Sequence, residues 1–419
     1  MSTKKKKPNI RQVQKNLAAQ YRRNFFSRMK DIIDSIYGKA IFKLIPQDIL
    51  DYAYLARYAP FKFEVDYNCD ISKMRFEDIK AFFSVLSKSF TVQLLPTKLE
   101  ISVNEFFTVF STIHVVNSQL SDSFFEKAGI SEETLDRVLK DKTTVEKALM
   151  RLYEVLNIFN FTDVDLSEEL YVFDYNVIMP EAHPGENRNV IRISSVQPER
   201  IVVAVDGNTR PAIRVGWVLH AISPTWLSLR PSELGLEGAF AEIPLKVYIQ
   251  LHAINRLSER LDCFWEGMNQ YNMFCSLSRP VIARDSNNNL LIECTVFGKR
   301  VGYFRADIVE GIILIRTFLF ITNNGTPEGR LLEKTTGLQK LDKKYLAIDK
   351  LSTFMTSDLD KNEEVRRIFK TAGCQSLLDL FEDMKGMAIK QANAFNSELM
   401  LKYISSQHFA SVPENPKLS

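Results

Sequence analysis

Phosphate-cradling glycine loops are missing from this chain of 419 residues. Its sixteen glycines form neither G-x-x-x-x-G-K-[ST] nor a G-x-G-x-x-G after a strand, so P-loop ATPases, kinases and dinucleotide-dependent dehydrogenases fall away. H-E-x-x-H and G-x-S-x-G are also lacking, which removes zincin-like peptidases and α/β hydrolases. The cysteines, Cys69, Cys263, Cys275, Cys294 and Cys374, make no C-x-x-C and no even framework. Reduced thiols in a cytosol are expected, with no disulfide scaffold, no metal site and no cofactor.

Long apolar runs are scarce too. The longest, Gly311 to Ile321, is broken by Arg316 and covers about half of a ~20-residue membrane span. Lys4 to Lys7 lead into no apolar stretch, so neither a membrane segment nor a secretory signal is expected, and the location read from the sequence is cytoplasmic. Charge of one sign is lacking: 54 basic residues face 51 acidic ones, for a net +3. No global field draws in nucleic acid or a membrane, and any basic surface must be local.

What is present is enough apolar material, 45% of residues with 11% aromatic, to build two or three cores in a chain of this length. The fold class expected is α+β: a helical domain over 1–165, a β-rich domain over 166–335 and a helical segment over 336–419. The first thirty residues carry ten cations and no acid. Lys4, Lys5, Lys6, Lys7, Arg11, Lys15, Arg22 and Arg23 are candidates for contacting a phosphate backbone, since Arg11, Lys15 and Arg22 share a helical stripe interleaved with Tyr21, Phe25 and Phe26. The alternative is a solubilising tail on a docking helix.

From Pro46 to about Phe161 apolar residues recur at helical spacing, as in Phe76, Ile79, Phe83 and Leu86, and Thr143-x-x-Glu146 is arranged as a capping box. His114, between Ile113 and Val115, is expected in the core. Asp163 to Glu169 reads as a solvated acidic linker. Beyond it the period changes to 2 in Val190–Ile193, Arg200–Val205, Ala212–Leu219 and Pro244–Ile249. Asp206-Gly207 marks a turn. His183 and His220 are too far apart in sequence to suggest a metal pair.

The most informative stretch is Leu251-His-Ala-Ile-Asn-Arg-Leu-Ser-Glu-Arg-Leu261. At ~100° per residue, Leu251, Ile254, Leu257 and Leu261 share one side and His252, Arg256, Glu259 and Arg260 the other. That polar face carries a group titrating near neutrality, two fixed cations and a carboxylate. A four-stranded antiparallel meander is expected after it, ending in Gly311–Thr322, and Arg330 to Lys350 hold a mild basic excess. Helices are expected near Glu363–Thr371 and from Leu377 to Ile404.

A helix with H-x-x-x-R-x-x-E-R spacing followed by such a meander resembles the ribonuclease-toxin fold shared by barnase-, colicin- and RelE-like proteins, over about residues 245–325. The resemblance implies metal-independent RNA cleavage in a bacterial toxin or mobile-element defence setting. His252 and Glu259 would exchange protons, Arg256 and Arg260 would clamp phosphate, and a polar residue at the last strand, Thr317 or Thr322, would complete the site; Thr322 is the one carried forward. The segment Cys263 to Leu277 and the large terminal additions depart from the compact family pattern. The competing expectation is a non-catalytic interaction or assembly protein, in which the same face is a structural ion-pair network. RNA or a protein is the expected partner.

Overall fold

The fold, from a computed structural model, is described for residues 10–38, 40–95, 97–178, 188–219, 223–383 and 397–410. It is α+β, with helices toward both ends and the sheets concentrated centrally. The chain divides into two compact units. One comprises Met1–Phe159, Val172–Ser195 and His220–Ile222; the other comprises Asn160–Tyr171, Val196–Leu219 and Ser223–Ser419.

The first unit is mostly helical but contains strands β1 (Ala59–Val65), β2 (Thr91–Gln93), β3 (Glu100–Ser102), β4 (Leu170–Ile178) and β5 (Arg188–Val196). The expectation of an almost wholly helical stretch to residue 165 is therefore corrected. Strand β1 pairs in parallel with β5, Phe63 opposite Ile191 and Val65 opposite Ile193, in a sheet ordered β1-β5-β4. Its alternating Phe61 and Phe63 show the two-residue period, but its partner is over a hundred residues downstream. That pairing moves the boundary expected at 165/166, because β4 and β5 complete the N-terminal unit. Aromatic packing fills its core: Phe83 stacks on Phe159 at 5.7 Å, and Phe61 meets Phe83 edge-on at 4.9 Å.

Local details correct other expectations. The helix Lys142–Thr162 is capped by Asp141, whose Oδ2 accepts from the Thr144 amide at 2.6 Å, and not by Thr143. His114 is exposed on the Ser111–Gln119 helix, because Ile113 and Val116 take the buried side. His183 and His220 lie outside the described residues.

The second unit is built on strands β6 (Arg200–Val205), β7 (Asn208–Arg214), β8 (Gly216–Leu219), β9 (Ser223–Trp226), β10 (Ser228–Leu229), β11 (Leu245–Gln250), β12 (Ile282–Arg284), β13 (Leu290–Val296), β14 (Lys299–Val309) and β15 (Ile312–Phe320). The main sheet runs β12-β13-β14-β15-β11-β7-β6, while β8 and β9 form their own pair. Three tight hairpins place residue pairs at positive φ: Asp206-Gly207, Phe297-Gly298 and Glu310-Gly311. Two-residue loops with both residues left-handed match the twist of the strands they join.

Strand β11 lies between antiparallel β7 and parallel β15 and passes directly into the helix Leu251–Arg260. Ala253, Ile254, Leu257 and Leu261 are buried, whereas Leu251 is 36% exposed, so Ala253 takes the place expected for Leu251. The segment read as an insertion is a helix, Glu266–Ser278. Gln270 on it holds the supposed linker: its Oε1 accepts from the Leu166 amide at 2.5 Å and its Nε2 donates to Asp165 at 2.6 Å. Leu166 is fully buried, so Asp163 to Glu169 is a packed turn and not a solvated linker.

The segment 336–419 belongs to this second unit; Ser376 Oγ, for example, donates to the Arg300 carbonyl on β14 at 2.6 Å. The long last helix expected from Leu377 is described in two parts, Gln375–Asp383 and Ser397–Ala410; residues 384–396 lie outside the described residues. No helix among the described residues is long and apolar enough to cross a membrane.

Candidate functional site

The register of β11 with β15, Ile249 opposite Ile315, brings the first turn of the Leu251–Arg260 helix beside Thr317. A bulge acts here. Arg305 on β14 pairs with Thr317 but Ala306 pairs with Ile315, leaving Arg316 as an extra residue. Successive strand residues ordinarily face opposite ways; the bulge re-aims them. Arg316 and Thr317 thus line one cavity of about 240 Å³ with Arg210, Arg305, Gln250 and His252.

That cavity adjoins a second of about 220 Å³, which shares His252 and Thr317 and adds Arg256, Arg260, Asn323 and Lys340. A third, of about 270 Å³, shares Arg256, Arg260, Asn323 and Lys340 and adds Thr322, Asn324, Lys343, Lys344 and Asp349. Together they make a groove lined by eight Arg and Lys side chains against one carboxylate, Asp349.

Several of these cations are partnered. Arg316 pairs with Asp206 at 2.5 Å and Asp307 at 2.9 Å, Arg256 with Glu259 at 2.6 Å, and Arg260 with Asp349. Arg305 donates to Asn289 at 3.0 Å. Arg210, Lys340 and Lys344 are exposed and form no ion pair among the described residues. Excess positive charge therefore stays in the groove.

The structure brings His252, Arg256 and Arg260 together, leaves Glu259 out, and gives Thr322 only a buried place in the wall of the end cavity. Glu259 lines none of the three cavities and is exposed, held by Arg256. Thr322 is fully buried beyond the end of β15, and its Oγ1 donates to the Ile348 carbonyl at 2.8 Å. It fastens the wall and offers no free hydroxyl; Thr317 is the threonine beside His252. His252 itself is exposed. Desolvation first, then the Arg256 and Arg210 guanidiniums, hold its pKa below the ordinary imidazole value, against a smaller opposing pull from Glu259. The neutral, proton-accepting form is favoured.

Of the N-terminal candidates, Lys4 to Lys7 and the side chain of Arg11 lie outside the described residues. Lys15, Arg22 and Arg23 are exposed on the Ile10–Tyr37 helix, and Arg22 is paired with Asp51 at 2.5 Å.

The groove also contains Arg210, Arg305, Arg316, Lys340, Lys343 and Lys344, none of which is among the site residues expected from the sequence, although the three lysines belong to the basic excess between Arg330 and Lys350. The first three come from separate strands, and only the sheet joins them. The last three had a usable signal: i, i+3, i+4 spacing puts them on one helical face, realised in the helix Lys340–Tyr345. Among the described residues no group of three or more His, Cys, Asp or Glu side chains is placed to hold a metal ion. No family model, curated protein or solved structure matches the chain.

Proposed function

We propose that the second unit binds RNA along this groove and cleaves its backbone with His252 as the proton acceptor. The observation carrying this reading is the imbalance of the lining, eight Arg and Lys against one carboxylate, which suits a polyanion. Neutral His252 takes the 2′-hydroxyl proton and the 2′-oxygen attacks phosphorus. Arg256 and Arg260 meet the charge that builds on the phosphorus oxygens. The leaving 5′-oxygen takes its proton from water, because Glu259 is turned away from the groove.

The test is incubation of the purified chain with RNA in EDTA, alongside the His252→Ala variant, with binding followed across salt concentrations. Salt-sensitive binding and His252-dependent cleavage are expected. Failure to retain RNA even at low salt would remove this reading. A protein-partner reading is favoured by one separate observation, an apolar cavity of about 590 Å³ walled by Leu236, Phe240, Ile243 and Ile308; Phe240 there is 75% exposed.

A further inference from the structure

At one end of the groove sits a cation that has no carboxylate of its own. Lys343 is 2% exposed yet lines the end cavity. Its ammonium donates to Asn324 Oδ1 at 2.6 Å and to the Gly329 carbonyl at 2.7 Å, both neutral acceptors. An ammonium has three donors, so one remains. A buried charge without a counterion is costly, and such a group persists where a ligand or a partner compensates it.

None of the carboxylates around it bonds the ammonium directly, and Glu333 and Asp342 attract it only from a distance, Glu333 through Asn324. Glu333 accepts from Asn324 Nδ2 at 2.6 Å, Asp342 from the Tyr403 hydroxyl at 2.7 Å, and Asp349 from Arg260. Cys374, the other titratable group facing it, is buried and held protonated by desolvation, its thiol pushed up to about 12. Lys340, one turn earlier on the same helix, and Lys344, the next residue along it, add two cations that form no ion pair among the described residues, and Arg256 and Arg260 line the same cavity.

The loop that carries Asn323 and Asn324 is set closely against the next helix. A Cβ at Gly329 would meet the Asn323 carbonyl oxygen at 1.8 Å, so only glycine lets that helix approach closely enough for its carbonyl to reach Lys343. The Gly329 acceptor is thus fixed by backbone, and the Asn324 oxygen is held in place by the bond its own amide nitrogen makes to Glu333.

We propose that this end cavity is a subsite for a phosphomonoester, the terminal phosphate of a strand lying in the groove, held by the spare proton of Lys343 and by Lys340 and Lys344. A terminal phosphate brings up to two negative charges and three acceptor oxygens, against one charge for an internal phosphodiester, which is what a cluster of unpaired cations at a groove's end selects. This rests on the RNA reading above for the strand, though not for the phosphate.

The experiment uses the full chain and two probes. Inorganic phosphate is titrated by calorimetry into the wild type, Lys343→Met and the double variant Lys340→Ala/Lys344→Ala. A ten-nucleotide 2′-O-methyl RNA, inert to 2′-hydroxyl chemistry, is compared with a 5′-phosphate, a 3′-phosphate or hydroxyls at both ends. The expected result is phosphate binding that weakens roughly tenfold or more in Lys343→Met, in keeping with loss of a charged hydrogen bond. One phosphorylated strand should bind about tenfold tighter than the hydroxyl-ended one, a preference that both variants reduce.

Phosphate binding unchanged in the variants, or absent in the wild type, overturns the subsite. Strand binding with no preference for a phosphorylated end overturns it while leaving the RNA reading intact. Phosphate binding through Lys343 without any strand binding overturns the strand-end assignment together with the RNA reading, and leaves a free phosphate as the ligand. If Lys343→Met fails to fold, the double variant decides, since both of its residues are exposed.

Discussion

The Ile10–Tyr37 helix and the groove of the second unit are both rich in Arg and Lys, but they differ in where the charge that acids do not take is placed: Lys15 and Arg23 stand on an exposed helix, whereas the groove gathers its unpaired cations into cavities. On the helix, Arg22 is taken by Asp51 at 2.5 Å and lies over the rings of Phe26 and Tyr54. Arg28 Nε is 2.6 Å from Glu105, and Lys30 is 3.0 Å from Asp34. In the groove, Arg210, Lys340 and Lys344 have no acidic partner among the described residues. Exposed ion pairs add little to stability, yet each removes a cation from the set available to a ligand. The number of charges in a stretch of sequence therefore says less than the position of the acids that fold back onto it.

The sharpest way to break this comparison is to remove the histidine that lines the groove. His252→Ala should leave the fold intact, because His252 is exposed and off the buried stripe of Ala253, Ile254 and Leu257. RNA cleavage should fall by about 10², with an unchanged thermal unfolding midpoint. A variant that unfolds, with activity per folded molecule preserved, would make the face a structural network. The pH profile adds a sign. Because the His252 pKa is lowered, cleavage by its neutral form should hold its plateau below pH 6.5 before declining with acid.

The next effect is on salt dependence. The triple variant Arg210→Ala/Lys340→Ala/Lys344→Ala should lower the slope of log affinity against log salt by about two units, at roughly 0.7 for each phosphate on a single strand that is no longer neutralised. Arg22→Ala/Arg28→Ala should leave that slope unchanged and instead lower stability by about 1 kcal/mol, through the part-buried Arg28–Glu105 pair. Equal slope changes in the two variants would erase the distinction between the surfaces.

Much of the second unit was legible because its signals are local. The Asp206-Gly207 turn, the meander strands and the polar face of the Leu251–Arg260 helix follow from residues a few positions apart. What escaped was non-local: the pairing of β1 with β5, the gathering of Arg210, Arg305 and Arg316 from three strands, and the bulge that turns Arg316 and Thr317 the same way. The choice between Thr317 and Thr322 turns on where β15 ends, which the apolar pattern does not mark: the strand stops at Phe320, and Thr322 falls past it. Thr322→Val should therefore cost about 1–3 kcal/mol in denaturant unfolding, by orphaning the Ile348 carbonyl, and leave cleavage per folded molecule unaltered. A loss of turnover without a loss of stability would return Thr322 to the site.

The smallest effect isolates Lys343. Desolvation is the main cause that lowers its pKa to about 8 from the ordinary 10.5, against weaker opposing pulls from Glu333, Cys374 and Asp342. Below pH 8 the lysine is protonated in both folded and unfolded chains, and the full cost of burying its charge is present. Above pH 8 the folded chain gives up the proton first, so the unfolded chain binds more protons and stability rises with pH, by up to about 1 kcal/mol between pH 8 and 9. From about pH 8 upward the buried thiols of Cys263, Cys294 and Cys374, each pushed up to about 12 from the ordinary 9.0, oppose this, because unfolding then releases their protons. The lysine is therefore read as a difference between two chains that share those thiols: the unfolding free energy of the wild type minus that of Lys343→Met should rise by about 1 kcal/mol from pH 8 to 9. Saturating inorganic phosphate should flatten that difference by holding the ammonium charged. A difference that stays constant across this pH range would locate the titration elsewhere and strip the end cavity of its buried cation.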